Sequence, residues 1–160
     1  MKHLFIINPA AGSRDRTKEY SVAIHDICSA RELDYRIVGS DSDPACVSLS
    51  FANARKAGVA DCIKFKDGDA TKMDLPAPSG ILVCNPPYGE RMMEQQSAQR
   101  LYSAMGRHFK FANEWKKFVI TSEPEFEHYF GKRADKKRKF YNGKIKCDYY
   151  MFTDNQRKKR

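Results

Sequence analysis

The chain has no Cys-x-x-Cys pair, and its cysteines are odd in number and widely scattered: Cys28, Cys46, Cys62, Cys84 and Cys147. A disulfide framework needs pairs and a structural zinc site needs closely spaced thiolates, so both are excluded. Unpaired thiols fit a reducing cytoplasm. His3, His25, His108 and His128 show no metal-ligand spacing, so no metal is expected. No apolar run approaches the ~20 residues of a membrane helix, and no membrane partner is expected. The opening apolar stretch, Leu4 to Ile7, is too short for a secretory signal. There is a single tryptophan, Trp115, and no internal repeat or low-complexity segment. No linker divides the chain, so residues 1–160 read as one α/β domain.

What is present is the composition of a folded protein. The 160 residues are 41% hydrophobic and 31% charged, enough to bury a core. Lysine and arginine number 29 against 20 acids, a net charge of +9. A basic excess favours an anionic partner such as RNA, although a lysine-rich surface alone gives the same count. The charge is concentrated in Lys132, Arg133, Lys136, Lys137, Arg138, Lys139, Lys144 and Lys146, and in a basic tail over 154–160. These residues either meet RNA phosphates or form an edge that discourages strand pairing.

Strand and helix patterns alternate along the chain. Leu4-Phe5-Ile6-Ile7 reads as a buried strand ended by Asn8-Pro9, and a helical spacing follows from Arg14 to about Ala30. Tyr35 to Gly39 is a second strand. Pro44 opens a helix whose apolar face is Val47, Phe51 and Ala54, and Gly58 ends it. Cys62 to Phe65 and Gly80 to Cys84 are further strands, a helix runs from about Gln95 to Asn113, and Lys117 to Thr121 is the fifth strand. Glu123 to Phe130 forms a short helix. Arg138 to Tyr141, Asn142-Gly143 and Ile145 to Phe152 form a hairpin, since Asn-Gly tolerates the positive φ of tight turns. Alternation implies a mainly parallel sheet covered on both faces, with ligands beyond the carboxyl ends of the strands.

At those ends the most informative residues are Asn85-Pro86-Pro87-Tyr88. Two prolines fix φ and remove donors, which leaves a stiff turn presenting carbonyl acceptors. With the Asn85 carboxamide they suit the NH₂ of a nucleobase, and Tyr88 is placed to stack on its ring. The alternative is a plain polar turn closing a strand.

Asn85-Pro86-Pro87-Tyr88-Gly89-Glu90-Arg91 resembles the fourth motif of S-adenosylmethionine-dependent methyltransferases acting on exocyclic amines. Its Gly-Glu-Arg extension is similar to the ribosomal RNA guanine-N2 methyltransferases. Gly39-Ser40-Asp41-Ser42-Asp43 resembles that family's second motif, Asp67-Gly68-Asp69-Ala70 its third, and Lys139 to Phe152 its terminal hairpin. Over residues 37–152 the resemblance implies a Rossmann-like, doubly wound fold of the class I methyltransferase type. It implies S-adenosylmethionine as cofactor, with Asp41 on the ribose and Asp69 and Ala70 at the adenine. It implies Asn85, Pro86, Pro87 and Tyr88 as the catalytic corner, with the Asn85 carboxamide and the Pro86 carbonyl on the guanine amine. Arg91, Lys136, Lys137, Arg138 and Lys139 are the candidate contacts to ribosomal RNA. Taken singly, Asp41 and Asp43 also suit helix capping, and Asp67 to Asp69 a turn.

The opening departs from that pattern. Where the family has an acidic, glycine-rich loop, this chain has Asn8-Pro9-Ala10-Ala11-Gly12-Ser13-Arg14-Asp15, with Asn8 for the acid and Arg14 for the second glycine. Asn8 and Gly12 stand at the corresponding cofactor positions. Leu4 to Gly12 and Leu33 to Arg36 resemble instead the opening of diacylglycerol and related lipid kinases, whose Asn-Pro-x-x-Gly loop meets ATP phosphate. The resemblances together imply a chimera: a kinase-like strand-helix-strand segment over 1–37 joined to a methyltransferase segment over 38–153. Two other functions follow from that construction, a catalytically inactive recombined fold that is possible as a segment-swapped homo-oligomer, and a nucleotide-binding kinase remnant. The family's usual amino-terminal RNA-binding domain is not expected in this chain, and apolar surface left by its absence favours self-association.

Overall fold

The computed structural model describes residues 36–89, 92–142 and 144–153. The expected first strand and its helix, with Asn8 and Gly12, lie outside the described residues, as do Arg91 and the basic tail. The chain divides into two units, one ending at Ile81 and one beginning at Leu82.

In the first unit, strand β1 (Ile37–Asp41) pairs in parallel with β2 (Ile63–Asp67), Ile37 opposite Ile63 and Asp41 opposite Asp67. Helix α1 (Pro44–Lys56) makes the crossover between them. Its start is written locally. Asp43 caps it by accepting the Ala45 N–H at 2.8 Å, and Pro44 takes the first helical position, where a missing N–H costs nothing. Arg55 and Lys56 fall in the last turn, where cations oppose the helix dipole. Of the expected apolar face, Ala54 is buried and Val47 half-buried. Phe51 remains 46% exposed, edge-on to Phe65 at 6.0 Å.

The second unit holds most of a four-stranded sheet in the order β3 (Gly80–Cys84), β4 (Trp115–Thr121), β6 (Ile145–Phe152), β5 (Lys136–Asn142). Both β4 and β5 pair antiparallel with β6, so antiparallel pairing extends beyond the expected hairpin. Asn142 closes β5 opposite Ile145 instead of opening the turn. The register follows from β6, where burial of Tyr150 and Phe152 fixes which residues face the core.

Helix α2 (Met92–His108) buries Ala98, Tyr102 and Met105 at helical spacing, and Phe109 continues that face into a 3₁₀ turn over Phe109–Phe111. Helix α3 (Phe126–Phe130) brings Phe126 to the centre of an aromatic cluster. Its ring lies 4.8 Å from Tyr150, 5.1 Å from Tyr102 and 5.1 Å from Phe130. Trp115 is buried, in keeping with a core role. Lys117 is buried too, and its ammonium is satisfied by the carbonyls of Ala112 at 2.6 Å and Trp115 at 2.9 Å. Gly106 lets α2 approach α3 closely, because a Cβ there would sit 2.0 Å from the Phe130 carbonyl oxygen. No helix among the described residues is long and apolar enough to cross a membrane.

Candidate active site

Two clusters sit at carboxyl ends of strands, one in each unit. In the first unit the ends of β1 and β2 lie side by side, and the Gly68 N–H donates to the Asp41 carbonyl at 2.9 Å. Asp41 Oδ1 accepts the Asp43 N–H at 2.9 Å, a short local turn that holds the carboxylate in place. Its other oxygen has no hydrogen bond among the described residues, and the side chain is exposed.

Asp69 is held the same way. Its Oδ1 accepts the Thr71 N–H at 2.8 Å and the Thr71 hydroxyl at 2.7 Å, and Oδ2 lies 3.6 Å from the Lys72 ammonium. The Thr71 bonds chiefly hold the Asp69 carboxyl below the usual carboxylate range. The Ala70 N–H donates to none of the described residues. Asp41, Asp69 and Ala70 are therefore gathered at one edge of the first unit. Among the described residues the capping and turn bonds do not exhaust them: one Asp41 oxygen and the Ala70 N–H have no partner there.

In the second unit β3 delivers the chain into Asn85-Pro86-Pro87-Tyr88. Pro86 is buried, Pro87 exposed, and Asn85 and Tyr88 half-buried. The Tyr88 hydroxyl donates to Asn85 Oδ1 at 2.7 Å and closes a ring over the two prolines. From the opposite side the Tyr102 hydroxyl donates to the Pro87 carbonyl at 2.6 Å. The Pro86 carbonyl accepts nothing from the described residues, and Asn85 Oδ1 keeps one of its two lone-pair directions. The corner therefore offers two acceptors on a backbone that cannot easily turn away.

Gly89 ends the corner with φ +69°. A Cβ there would come within 2.5 Å of Gln95 Cα, so glycine permits both the turn and the close passage over the start of α2. Beside it runs an apolar groove of about 500 Å³ lined by Pro87, Gly89, Met93, Ala98 and Leu101. Desolvation raises the thiol of Cys84, the residue before the corner, to about 12, so it is no thiolate nucleophile near neutral pH.

The candidate RNA residues Lys136, Arg138 and Lys139 are exposed on β5, the outer strand of the sheet. Lys137 is committed elsewhere. Its ammonium pairs with Glu127 Oε2 at 2.8 Å and lies 5.3 Å from the Tyr150 ring centre. Sequence reasoning missed Tyr102. Its place on the buried helical face was legible, but its hydroxyl partner lies 15 residues away and only folding shows it. No group of three or more metal-ligating side chains is found among the described residues.

Known proteins share this arrangement of elements. The RMKL-like methyltransferase domain family, UPF0020, matches residues 5–151. The chain belongs to this family. Among curated members, YpsC of Bacillus subtilis, named a candidate RNA methyltransferase, is 38% identical over 124 residues. That match takes in 78% of this chain and 32% of YpsC. The ribosomal RNA large subunit methyltransferase K/L of Shewanella baltica is 37% identical over 125 residues, 77% of this chain and 18% of that enzyme. The chain thus spans about a third or less of these relatives. Among solved structures, a possible methylase from Clostridium difficile 630 superimposes with a TM-score of 0.77 at 29% identity, covering 95% of this chain and 48% of that one. SMU.472, a methyltransferase-like protein solved with S-adenosylhomocysteine, gives 0.69 at 35% identity, covering 82% and 36%. The fold is α/β and Rossmann-like, of the class I methyltransferase type.

Proposed function

We propose that this RMKL-like domain transfers a methyl group from S-adenosylmethionine to an exocyclic amine of a base in ribosomal RNA, guanine N2 by its motif. The observation that carries the reading is the clamped corner. Asn85 Oδ1 and the Pro86 carbonyl are two fixed acceptors, and an NH₂ group has two hydrogens to give. Holding both aims the nitrogen lone pair in one direction, and alignment is what such a transfer chiefly needs.

The residues of the first unit fit the cofactor. The open oxygen of Asp41 suits ribose hydroxyls, as an acid after a second strand does in many nucleotide sites. Asp69, whose carboxyl the Thr71 bonds hold below its usual range, and the Ala70 N–H, which has no acceptor among the described residues, suit an adenine edge. When bound, the cofactor supplies an electrophilic sulfonium methyl, so no protein nucleophile or metal enters the scheme. Asn8 and Gly12 are assigned to the same cofactor on sequence position alone. Tyr88, whose hydroxyl orients Asn85, also offers its ring to the target base.

SMU.472 was solved with S-adenosylhomocysteine, and K/L is named for large-subunit ribosomal RNA; both support this assignment. Arg91, Lys136, Arg138 and Lys139 are assigned to RNA phosphates, and Lys137 joins them only where it leaves Glu127. A chimeric origin of residues 1–37 rests on the resemblance of Leu4 to Gly12 and Leu33 to Arg36 to lipid kinases; the family match begins at residue 5 and runs through both stretches.

Isothermal titration with S-adenosylhomocysteine, followed by transfer of labelled methyl to unmodified large-subunit RNA, tests the reading. Binding that Asp41→Ala removes and transfer that Asn85→Ala removes are the expected results. Full transfer by Asn85→Ala would overturn it.

A further inference from the structure

We propose that Tyr102, backed by Thr121, is a positioning residue for methyl transfer that sets the plane of the Pro87 carbonyl and with it the shape of the diproline corner. The inference rests on the reading of that corner given above and adds a residue from α2 to it.

The direction of every bond follows from counting hydrogens. Tyr102 has one hydroxyl hydrogen, and the Pro87 carbonyl at 2.6 Å can only accept it. The Thr121 hydroxyl lies 3.0 Å from the Tyr102 oxygen, so Thr121 must be the donor there. Thr121 Oγ1 in turn accepts the Glu123 N–H at 3.2 Å. The result is a one-way chain, from the Glu123 N–H through Thr121 and Tyr102 to the Pro87 carbonyl. Tyr102 and Thr121 are both fully buried, so neither hydroxyl has water as an alternative partner. The Tyr150 hydroxyl donates to the Glu123 carbonyl at 3.2 Å and anchors the far end.

What the chain controls is the freedom the prolines leave. Their rings fix φ at positions 86 and 87, but ψ of Pro87 still rotates the peptide plane that leads into Tyr88. A bond to the Pro87 carbonyl fixes that plane. Tyr88 hangs from it, and its hydroxyl orients Asn85 Oδ1. Tyr102 therefore reaches Asn85 Oδ1 through two intermediaries, and its burial keeps it out of the open face of the corner. It also keeps the Pro87 carbonyl from competing with the Pro86 carbonyl for the amine.

The test compares four variants of the full chain. Tyr102→Phe keeps the ring against Phe126 and removes the hydroxyl. Thr121→Val breaks the chain one step back, and Thr121→Ser preserves it. Met105→Ala, from the same buried face of α2, serves as a control that lowers stability alone. Hydrogen exchange at the Asn85, Tyr88 and Gly89 amides should quicken in Tyr102→Phe and Thr121→Val and match the wild type in Thr121→Ser. In methyl transfer, kcat should fall on the order of tenfold in the first two, with KM for S-adenosylmethionine unchanged. The double variant should be no worse than either single one, since both break one chain. Met105→Ala should keep its kcat despite a lower Tm. Wild-type exchange and wild-type kcat in Tyr102→Phe would overturn the proposal. Transfer surviving in Asn85→Ala would instead overturn the reading of the corner, and the exchange data would still decide whether Tyr102 shapes it.

Discussion

The hydroxyl of Tyr88 donates to Asn85 Oδ1 at 2.7 Å, across the two prolines that separate them. A carboxamide on a free χ2 could present either its oxygen or its NH₂ to a target amine, and only the oxygen is useful. The Tyr88 hydroxyl pins the Asn85 carboxamide through one lone pair of Oδ1 and leaves the other for a target amine. Tyr88→Phe should therefore keep the ring and lose the orientation. Steady-state kinetics should show kcat down by several-fold, and denaturant unfolding should show a loss of about 1 kcal/mol, the usual net value of one hydrogen bond. Unchanged kcat would mean that Asn85 is oriented by something else.

Two glycines with nearly equal positive φ should respond differently to alanine. Gly89 has φ +69° and Gly131 has φ +72°, but a Cβ at Gly89 overlaps the backbone of Gln95 whereas one at Gly131 meets nothing within 4 Å. Gly131→Ala should cost about 1–2 kcal/mol, the strain of left-handed backbone alone. Gly89→Ala adds a displaced helix start and should cost about 3 kcal/mol or more. Urea unfolding of the two variants side by side separates the terms.

Cys84 gives a pH signature. Desolvation raises its thiol from 9.0 to about 12 in the folded chain. Between those values the unfolded chain has lost the proton and the folded chain keeps it, so the unfolded state binds fewer protons and stability falls as pH rises. The contribution is intact below pH 9 and fades by up to about 1.4 kcal/mol per pH unit above it. Cys84→Ala should flatten that limb of the stability profile. Near neutral pH a maleimide should label exposed Cys62 faster than half-buried Cys84, whose thiol stays protonated.

Thr71 holds the Asp69 carboxyl below its usual range through two hydrogen bonds to Oδ1. As pH falls, Asp69 should stay ionised longer than an ordinary carboxylate. Thr71→Val removes the hydroxyl bond, so the acid limb of S-adenosylhomocysteine binding should move to higher pH. Titration calorimetry across the acid range measures the shift, and coincident acid limbs would remove Asp69 from the adenine site.

The basic edge is testable through salt. Changing Lys136, Arg138 and Lys139 to glutamine should lower the slope of log affinity against log salt by about 2–3, the counterions released by three phosphate contacts. Lys137→Gln should chiefly cost stability, because Lys137 already pairs with Glu127. Filter binding at several salt concentrations distinguishes the two effects.

Local chemistry made much of this fold readable. Asp43 and Pro44 announce the start of α1, the apolar run of Gly80 to Cys84 marks β3 at its observed bounds, and the motif residues 85–88 stand out by composition alone. What stayed hidden was set by distant partners. Nothing near Asn142 shows that it pairs with Ile145, since the register is decided by which residues of β6 the core accepts. That Lys117 is buried, with its ammonium held by two carbonyls, shows only in the fold. Tyr102 looks like ordinary helix filling, and its role depends on a carbonyl and a threonine that lie far off along the chain.

The sheet order has a consequence for synthesis. Among the described strands β6 is the last to be made, and it lies between β4 and β5. While the ribosome has delivered only as far as Asn142, β5 has no neighbour to join and the outer border of β4 stands open. The sheet therefore cannot be zipped in the order in which it is translated, and a nascent chain paused at that point exposes a ready template for another polypeptide.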